Sequence, residues 1–110
     1  MTLYISNAFS LSMLDREDQN GDHPRRPIAL SIDMVEDEII YAGESVVSAI
    51  GHADTAALIS GILGMDLPVN RVSIKLKRGD RLLVAQYIGP RLPEGATTLP
   101  DGAAIEWWLV

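Results

Sequence analysis

The chain has 110 residues, 47% of them hydrophobic, which suits one domain with a single core but leaves little room for a large internal active site. It contains no cysteine and only two histidines, far apart in sequence, so disulfides and thiolate zinc sites are excluded and no metal site is expected. The net charge of −6 argues against duplex DNA or a membrane surface as the main partner. A small anionic ligand remains compatible, because residues 70–91 hold six Lys or Arg and a single acidic residue.

The N-terminal quarter predicts a strand and then an exposed loop. Residues 2–9 alternate and are rich in β-formers, so we expect a strand that ends near Asn7. Residues 15–27 gather Asp, Asn, Gly and Pro, which is typical of a solvated loop, and His23 within them is interpreted as an exposed bystander. The first residues lack the basic start and apolar run of a signal peptide, and no stretch approaches the ~20 apolar residues of a membrane span, so a soluble, cytoplasmic protein is expected.

The middle of the chain gives a strand, an ambiguous stretch and a short helix. Ile28, Leu30, Ile32 and Met34 occupy alternate positions in residues 28–35 and predict a strand. Residues 36–43 fit either a turn with a short strand or a helical turn. Residues 45–51 predict a short helix that begins at Ser45 as its N-cap.

His52 stands at the joint between this short helix and a second one. Apolar residues at helical spacing predict the second helix over residues 54–64, with Asp54 as its cap and Gly64 as its stop. His52 is the best candidate for proton transfer, because imidazole ordinarily changes its charge near neutral pH. A structural role as the cap of a helix joint explains a single histidine equally well.

The C-terminal part predicts strands around one long loop. Residues 70–89 alternate around a KRGD turn and predict a β-hairpin, and residues 103–110 predict a last strand. The intervening residues 89–102 exceed the ~12 residues beyond which loops in compact domains are often functional, and they carry Arg91 and Glu94. A solvated connection stiffened by prolines is an equal alternative. These elements predict a single α/β or α+β domain, residues 1–110, with a mixed central sheet of about five strands flanked by helices.

Several polar residues of types that bind phosphate are spread over separate segments. Helix starts and hydroxyl groups donate to phosphate oxygens, and arginine adds a bidentate contact. The residues are Asn7, Ser10, Thr55, Arg71 and Arg91. Each has an ordinary structural explanation, and together they suggest a phosphate-bearing ligand. The sequence has no Walker-type loop and no GxSxG elbow, and Asp37 and Glu38 are interpreted as solvated charges.

Four blocks of the chain together resemble a known family. "YISNAFSLSML", "SAIGHADTAALISGILG", "NRVSIKLKRGDRLLVAQ" and "RLPEG" occur in the order seen in viral and bacterial ring nucleases, which include the type III anti-CRISPR protein. The blocks cover roughly half of the chain; the acidic segment 15–44 and the residues after Gly95 match poorly. The resemblance implies a homodimer that binds cyclic tetra-adenylate across its interface and cuts it, without metal or cofactor, to linear di-adenylate with a 2′,3′-cyclic phosphate.

The resemblance also implies roles for particular residues. The histidine of the family's GH motif is catalytic and falls on His52, and the arginine and glutamate of its RLxEG motif fall on Arg91 and Glu94. Ligand-binding positions of the family fall on Asn7, Ser10, Ser12, Thr55, Arg71 and Gln86, with Ser12 standing where a member carries an amide. The expected function is to shut off type III CRISPR signalling in the cytoplasm of a prokaryotic cell, with either a virus or the cell as the source. The alternative is a non-catalytic cyclic-nucleotide sponge or viral interaction protein of the same fold.

Overall fold

A computed structural model describes residues 1–16 and 24–110 of the chain. The strands are β1 (Leu3–Ser6), β2 (Ile28–Leu30), β3 (Val46–Ser48), β4 (Arg81–Ile88) and β5 (Ala104–Leu109). The helices are a 3₁₀ turn (Leu11–Met13), α1 (Ile32–Ala42) and α2 (Ala53–Leu63). His23, interpreted above as an exposed bystander, lies outside the described residues. None of the described helices is long and apolar enough to cross a membrane.

The five strands form one mixed sheet in the order β2-β5-β4-β1-β3. β1 lies between β3 and β4 and runs parallel to both, whereas β5 is antiparallel to β4 and to the edge strand β2. This arrangement confirms the predicted α+β class with a mixed five-stranded sheet. Because β1, β3 and β4 are parallel, their carboxyl ends lie at the same end of the sheet. Asn7, which follows β1, and His52, which comes four residues after β3, lie at that end.

Alternation along the strands divides the core between the two faces of the sheet. Leu3 and Ile5 of β1 belong to the cluster under the helices, while Tyr4 between them packs with the cluster on the opposite face. The adjacent indoles of Trp107 and Trp108 are divided in the same way. Successive side chains of a strand point to opposite faces, so both faces of the central strands are covered by apolar contacts.

The predicted hairpin at 70–89 is wrong in its first half. Its second half is β4, whose two edges are already paired with β1 and β5, so no edge is left for residues 70–77. Those residues instead cross the second face of the sheet, where Ile74 and Leu76 are buried, and make a single bridge between Leu76 and Leu14. The alternating pattern reflected burial against a sheet face rather than pairing in a ladder.

The predicted helix at 45–51 is also wrong, because Val46–Ser48 forms β3. Ser45 is not a helix cap; its N–H donates to the carbonyl of Ala42 at 3.0 Å, which closes the turn between α1 and β3. Two consecutive valines are β-branched and favour a strand, and a three-residue strand offers no helical spacing to compete with that preference.

The strand predicted over 28–35 ends at Leu30, because the next residue begins a helix. The hydroxyl of Ser31 caps α1 by accepting from the N–H of Met34 at 3.3 Å, and α1 resolves the ambiguous stretch 36–43 as helix. Glu38, interpreted as a solvated charge, forms an ion pair with Arg81 at the start of β4. The strand at the N-terminus, the second helix and the last strand were predicted correctly.

Candidate functional site

His52 is the N-cap residue of α2, with its backbone extended at φ −130° and ψ 129°. Its carbonyl accepts the first helical hydrogen bond, from Ala56 N–H at 2.9 Å, but its imidazole makes no capping hydrogen bond. The side chain is exposed. The fold therefore uses the backbone of His52 and leaves the imidazole available. Asp54, predicted to be the cap, lies in the first turn of α2 instead, and Gly64 ends the helix as predicted in the left-handed conformation.

Arg71 lies beside His52. Its Nε donates to the carbonyl oxygen of Gly51 at 2.9 Å, and Arg71 and His52 line one open depression of about 220 Å³ with Ala53 and Asp54. A Cβ at Gly51 would come within 2.8 Å of the Arg71 Cγ, so the glycine is what lets the arginine lie so close. Within the described residues no other hydrogen bond engages the guanidinium, which leaves its two terminal nitrogens available to an anion.

Three contacts fix the start of the long loop after β4. The hydroxyl of Tyr87 donates to the carbonyl of Pro90, and Leu92 lines a small apolar cavity between α2 and the sheet. At the other end, Gly95 N–H donates to Oδ2 of Asp54 at 2.8 Å. The segment 90–95 is therefore held against the N-terminal turn of the helix that begins at His52.

Arg91 and Glu94 occupy the positions between these anchors. Both are exposed, and in the described part of the chain neither side chain takes part in a hydrogen bond or an ion pair. The anchored residues hold the backbone while the two charged side chains remain free to meet a ligand. The depression at His52 and the segment 90–95 together carry balanced charges, because Asp54 and Glu94 offset Arg71 and Arg91.

Asn7 lies between two other predicted ligand-binding residues, Thr55 of α2 and Gln86 of β4. Asn7 and Thr55 line the same cavity of about 130 Å³ that Leu92 lines. Asn7 and Gln86 line a larger cavity of about 540 Å³ on the other side of Asn7, together with Phe9 and Trp108. Asn7 thus lies beside both Thr55 and Gln86, which are far apart in sequence and line different cavities.

Ser10 and Ser12 form a separate pair. Their hydroxyl oxygens lie 3.0 Å apart, and Ser10 caps the 3₁₀ turn by accepting from the N–H of Ser12 at 3.3 Å. The carbonyl of Ser12 also accepts from Nζ of Lys75 at 3.4 Å. Both serines are exposed, and these hydrogen bonds serve local structure rather than joining the pair to His52.

The first turn of α2, the neighbouring Arg71 and the attached segment 90–95 together carry an imidazole, two guanidinium groups and two carboxylates. This set can exchange a proton, stabilise negative charge and orient a hydroxyl group. Over residues 1–16 and 24–110, no cluster of His, Cys, Asp and Glu is able to hold a metal ion.

Sequence reasoning missed the residues that hold the loop. Asp54 was interpreted as a helix cap because an aspartate near a helix start usually is one. In the sequence, Tyr87 is an aromatic residue of a predicted strand and Leu92 an apolar residue of a predicted loop, and neither pattern indicates a role in holding the loop. Both act through contacts that depend on the tertiary fold.

A sequence model of the STIV B116-like family matches residues 3–103, which is most of the chain. The chain belongs to the STIV B116-like family. The chain is also similar to uncharacterized protein 26 of Sulfolobus islandicus filamentous virus (isolate Iceland/Hveragerdi), with 34% identity over 67 residues, which cover 61% of this chain and 56% of that relative. The chain therefore spans little more than half the length of that curated relative.

The fold of the STIV B116-like family is also found in a solved structure. B116 of Sulfolobus turreted icosahedral virus superposes with a TM-score of 0.77 and 26% sequence identity, over 99% of this chain and 97% of that one. Both similar proteins come from viruses of Sulfolobus. The shared fold includes the sheet edge at which His52 and Asn7 lie.

Proposed function

We propose that the protein is a metal-independent ring nuclease, which binds cyclic tetra-adenylate between two copies of the chain and cleaves it. The observation that carries the proposal is the segment 90–95, which carries Arg91 and Glu94 and is tied through Gly95 to the turn of α2 that begins after His52. A proton-transfer group, an anion-binding group and a carboxylate drawn from two distant segments are what this reaction needs. The resemblance of the same residues to ring nucleases supports the proposal.

The proposed reaction is an internal transfer at each of two phosphodiester links. The ribose 2′-oxygen attacks the adjacent phosphorus and loses its proton, the bond to the 5′-oxygen breaks, and that oxygen leaves with a proton. Each cut gives a 2′,3′-cyclic phosphate, so two cuts convert the ring to two linear di-adenylates. The protein has to align the attacking and leaving oxygens and to stabilise the added negative charge.

Each residue has a role that its chemistry suits. His52, with an exposed imidazole free of capping bonds, donates the proton to the departing 5′-oxygen. Arg91 stabilises the charge that develops on the phosphate, and Glu94 orients the 2′-hydroxyl group or Arg91. Arg71 binds a neighbouring phosphate, and the ligand-contact positions Asn7, Ser10, Ser12, Thr55 and Gln86 hold the rest of the ring.

A homodimer fits both the size of the ligand and the shape of the site. The depression at His52 is open and shallow, and one chain of 110 residues cannot surround four nucleotides. Two copies related by a two-fold axis match the repeated units of the ring and double the number of arginines that face it. The proposed place of action is the cytoplasm of an infected or CRISPR-bearing prokaryotic cell, where cleavage of the messenger switches off type III CRISPR signalling.

The deciding experiment incubates the protein with labelled cyclic tetra-adenylate in excess EDTA. The proposal expects cleavage to linear di-adenylate with a cyclic phosphate terminus, and expects His52→Ala to bind the ring without cutting it. Tight retention of the intact ring by the unmodified protein would instead identify a non-catalytic sponge. Absence of both binding and cleavage would overturn the proposal.

A further inference from the structure

We propose that Asp54 is a positioning residue for the proposed reaction, and that it acts by holding the turn that carries Glu94 against the start of α2. The inference rests on the proposed function for its catalytic consequence but not for the contact itself. Oδ2 of Asp54 accepts from the N–H of Gly95 at 2.8 Å across 41 residues of sequence.

The backbone of the loop is shaped to make this contact. Residues 93–96 form a β-turn closed by Ala96 N–H, which donates to the carbonyl of Pro93 at 3.1 Å. Gly95 has φ +79°, the sign that a type II turn requires at its third residue, and a side chain there would be strained. The turn leaves the N–H of Gly95 free to meet the carboxylate and places Glu94 at its corner.

The two ends of segment 90–95 are held by different means. The Tyr87 hydroxyl holds Pro90 at the end next to β4, and Leu92 lines the small cavity beside Thr55. In the described residues, Asp54 makes the polar contact that joins the far end of the segment to α2. Loss of that contact should free Glu94 more than Arg91, because Arg91 lies between Pro90 and Leu92.

A carboxylate in the first turn of a helix also has a purely structural use. It stabilises the helix through the partial positive charge at the N-terminus. The two roles can be separated by substitution, because Asp54→Asn removes the charge but keeps an oxygen that can accept from Gly95. Asp54→Ala removes both the charge and the acceptor.

The first test examines the loop in the ligand-free protein. Hydrogen exchange at the Gly95 amide should be about tenfold faster in Asp54→Ala than in the unmodified protein, because a hydrogen bond to a charged acceptor is lost. Asp54→Asn should retain most of the protection. Trypsin should also cut the Arg91–Leu92 bond faster in Asp54→Ala, while cleavage after Arg78, far from the loop in sequence, serves as the internal control and should not change.

The second test separates catalysis from binding. Single-turnover cleavage of cyclic tetra-adenylate by Asp54→Ala should be about tenfold slower, since a small displacement of a catalytic group reduces the rate strongly, while the Kd for the ring changes less than threefold. Asp54→Asn should restore most of the rate. Equal losses in the Asn and Ala variants, or unchanged Gly95 exchange in Asp54→Ala, would overturn the inference. If the unmodified protein does not cleave the ring, the proposed function fails, and the exchange experiment still decides whether Asp54 holds the loop.

Discussion

The Nε of Arg71 donates a 2.9 Å hydrogen bond to the carbonyl oxygen of Gly51, the residue immediately before His52. This contact brings a cation from an irregular segment to the start of α2. It depends on the missing side chain at Gly51, because a Cβ there would lie 2.8 Å from the Cγ of Arg71.

Substitution of Gly51 by Ala should therefore displace Arg71 without disrupting the fold. The atom in the way belongs to a flexible side chain, and Gly51 is not among the glycines with positive φ. We expect the free energy of unfolding to change by no more than about 1 kcal/mol. The Kd for cyclic tetra-adenylate, measured by titration calorimetry, should rise about 10²-fold, which corresponds to the loss of one charge-assisted hydrogen bond of about 1.4 kcal/mol in each of the two copies. Gly43→Ala, at an open position with φ +60° far from the site, provides a control in which stability falls and affinity does not.

Substitution of His52 by Ser should stabilise the protein and abolish its activity. Serine at an N-cap accepts a hydrogen bond from the helix, which the His52 imidazole does not, and this contributes about 1 kcal/mol. For a chain of this size the thermal midpoint should rise by about 4 °C. Loss of the general acid should lower cleavage at least about 10²-fold. A lower midpoint in the variant would show that the imidazole stabilises the fold, contrary to the exposed side chain seen here.

Binding of the ring should weaken as salt is added, because Arg71 and Arg91 from two copies would meet four phosphates. A plot of the logarithm of the association constant against the logarithm of the salt concentration should be linear, with a slope of roughly −0.7 for each phosphate contact. Arg71→Gln should weaken binding and make the slope shallower, because one contact is lost from each copy. An affinity that does not depend on salt would contradict phosphate recognition by these arginines.

The local sequence predicted correctly those helices and strands whose spacing of apolar residues fits only one type of secondary structure. The strand that begins at Leu3, the helix that ends at Gly64 and the strand with the paired tryptophans were all predicted, as was the mixed sheet. Ser31 shows what a local rule can miss. It caps α1, but it lies inside an alternating run that favours a strand, and the prediction followed the alternation.

The candidate residues could be chosen from the sequence, but their arrangement could not. His52 could be chosen from chemistry, and Arg91 and Glu94 from their place in a long loop. The contact between Asp54 and Gly95 could not be predicted, because no local sequence pattern in either segment indicates that the two residues lie close together. Such contacts depend on which strands pair, and the predicted pairing of residues 70–77 with β4 was wrong.

That error leads to a test of how residues 70–77 stabilise the fold. In a hairpin, Val72 and Leu76 would occupy equivalent positions on one face, whereas here Leu76 is fully buried against the sheet and Val72 is 47% exposed. Leu76→Ala should lower the free energy of unfolding by about 2–5 kcal/mol, since it leaves a cavity in the cluster with Leu82 and Val84. Val72→Ala should change it by no more than about 0.5 kcal/mol. Denaturant unfolding of both variants gives the comparison. Similar losses in the two would favour a paired hairpin, whereas a large difference would show that burial of Leu76 against the sheet, and not pairing with β4, holds the segment.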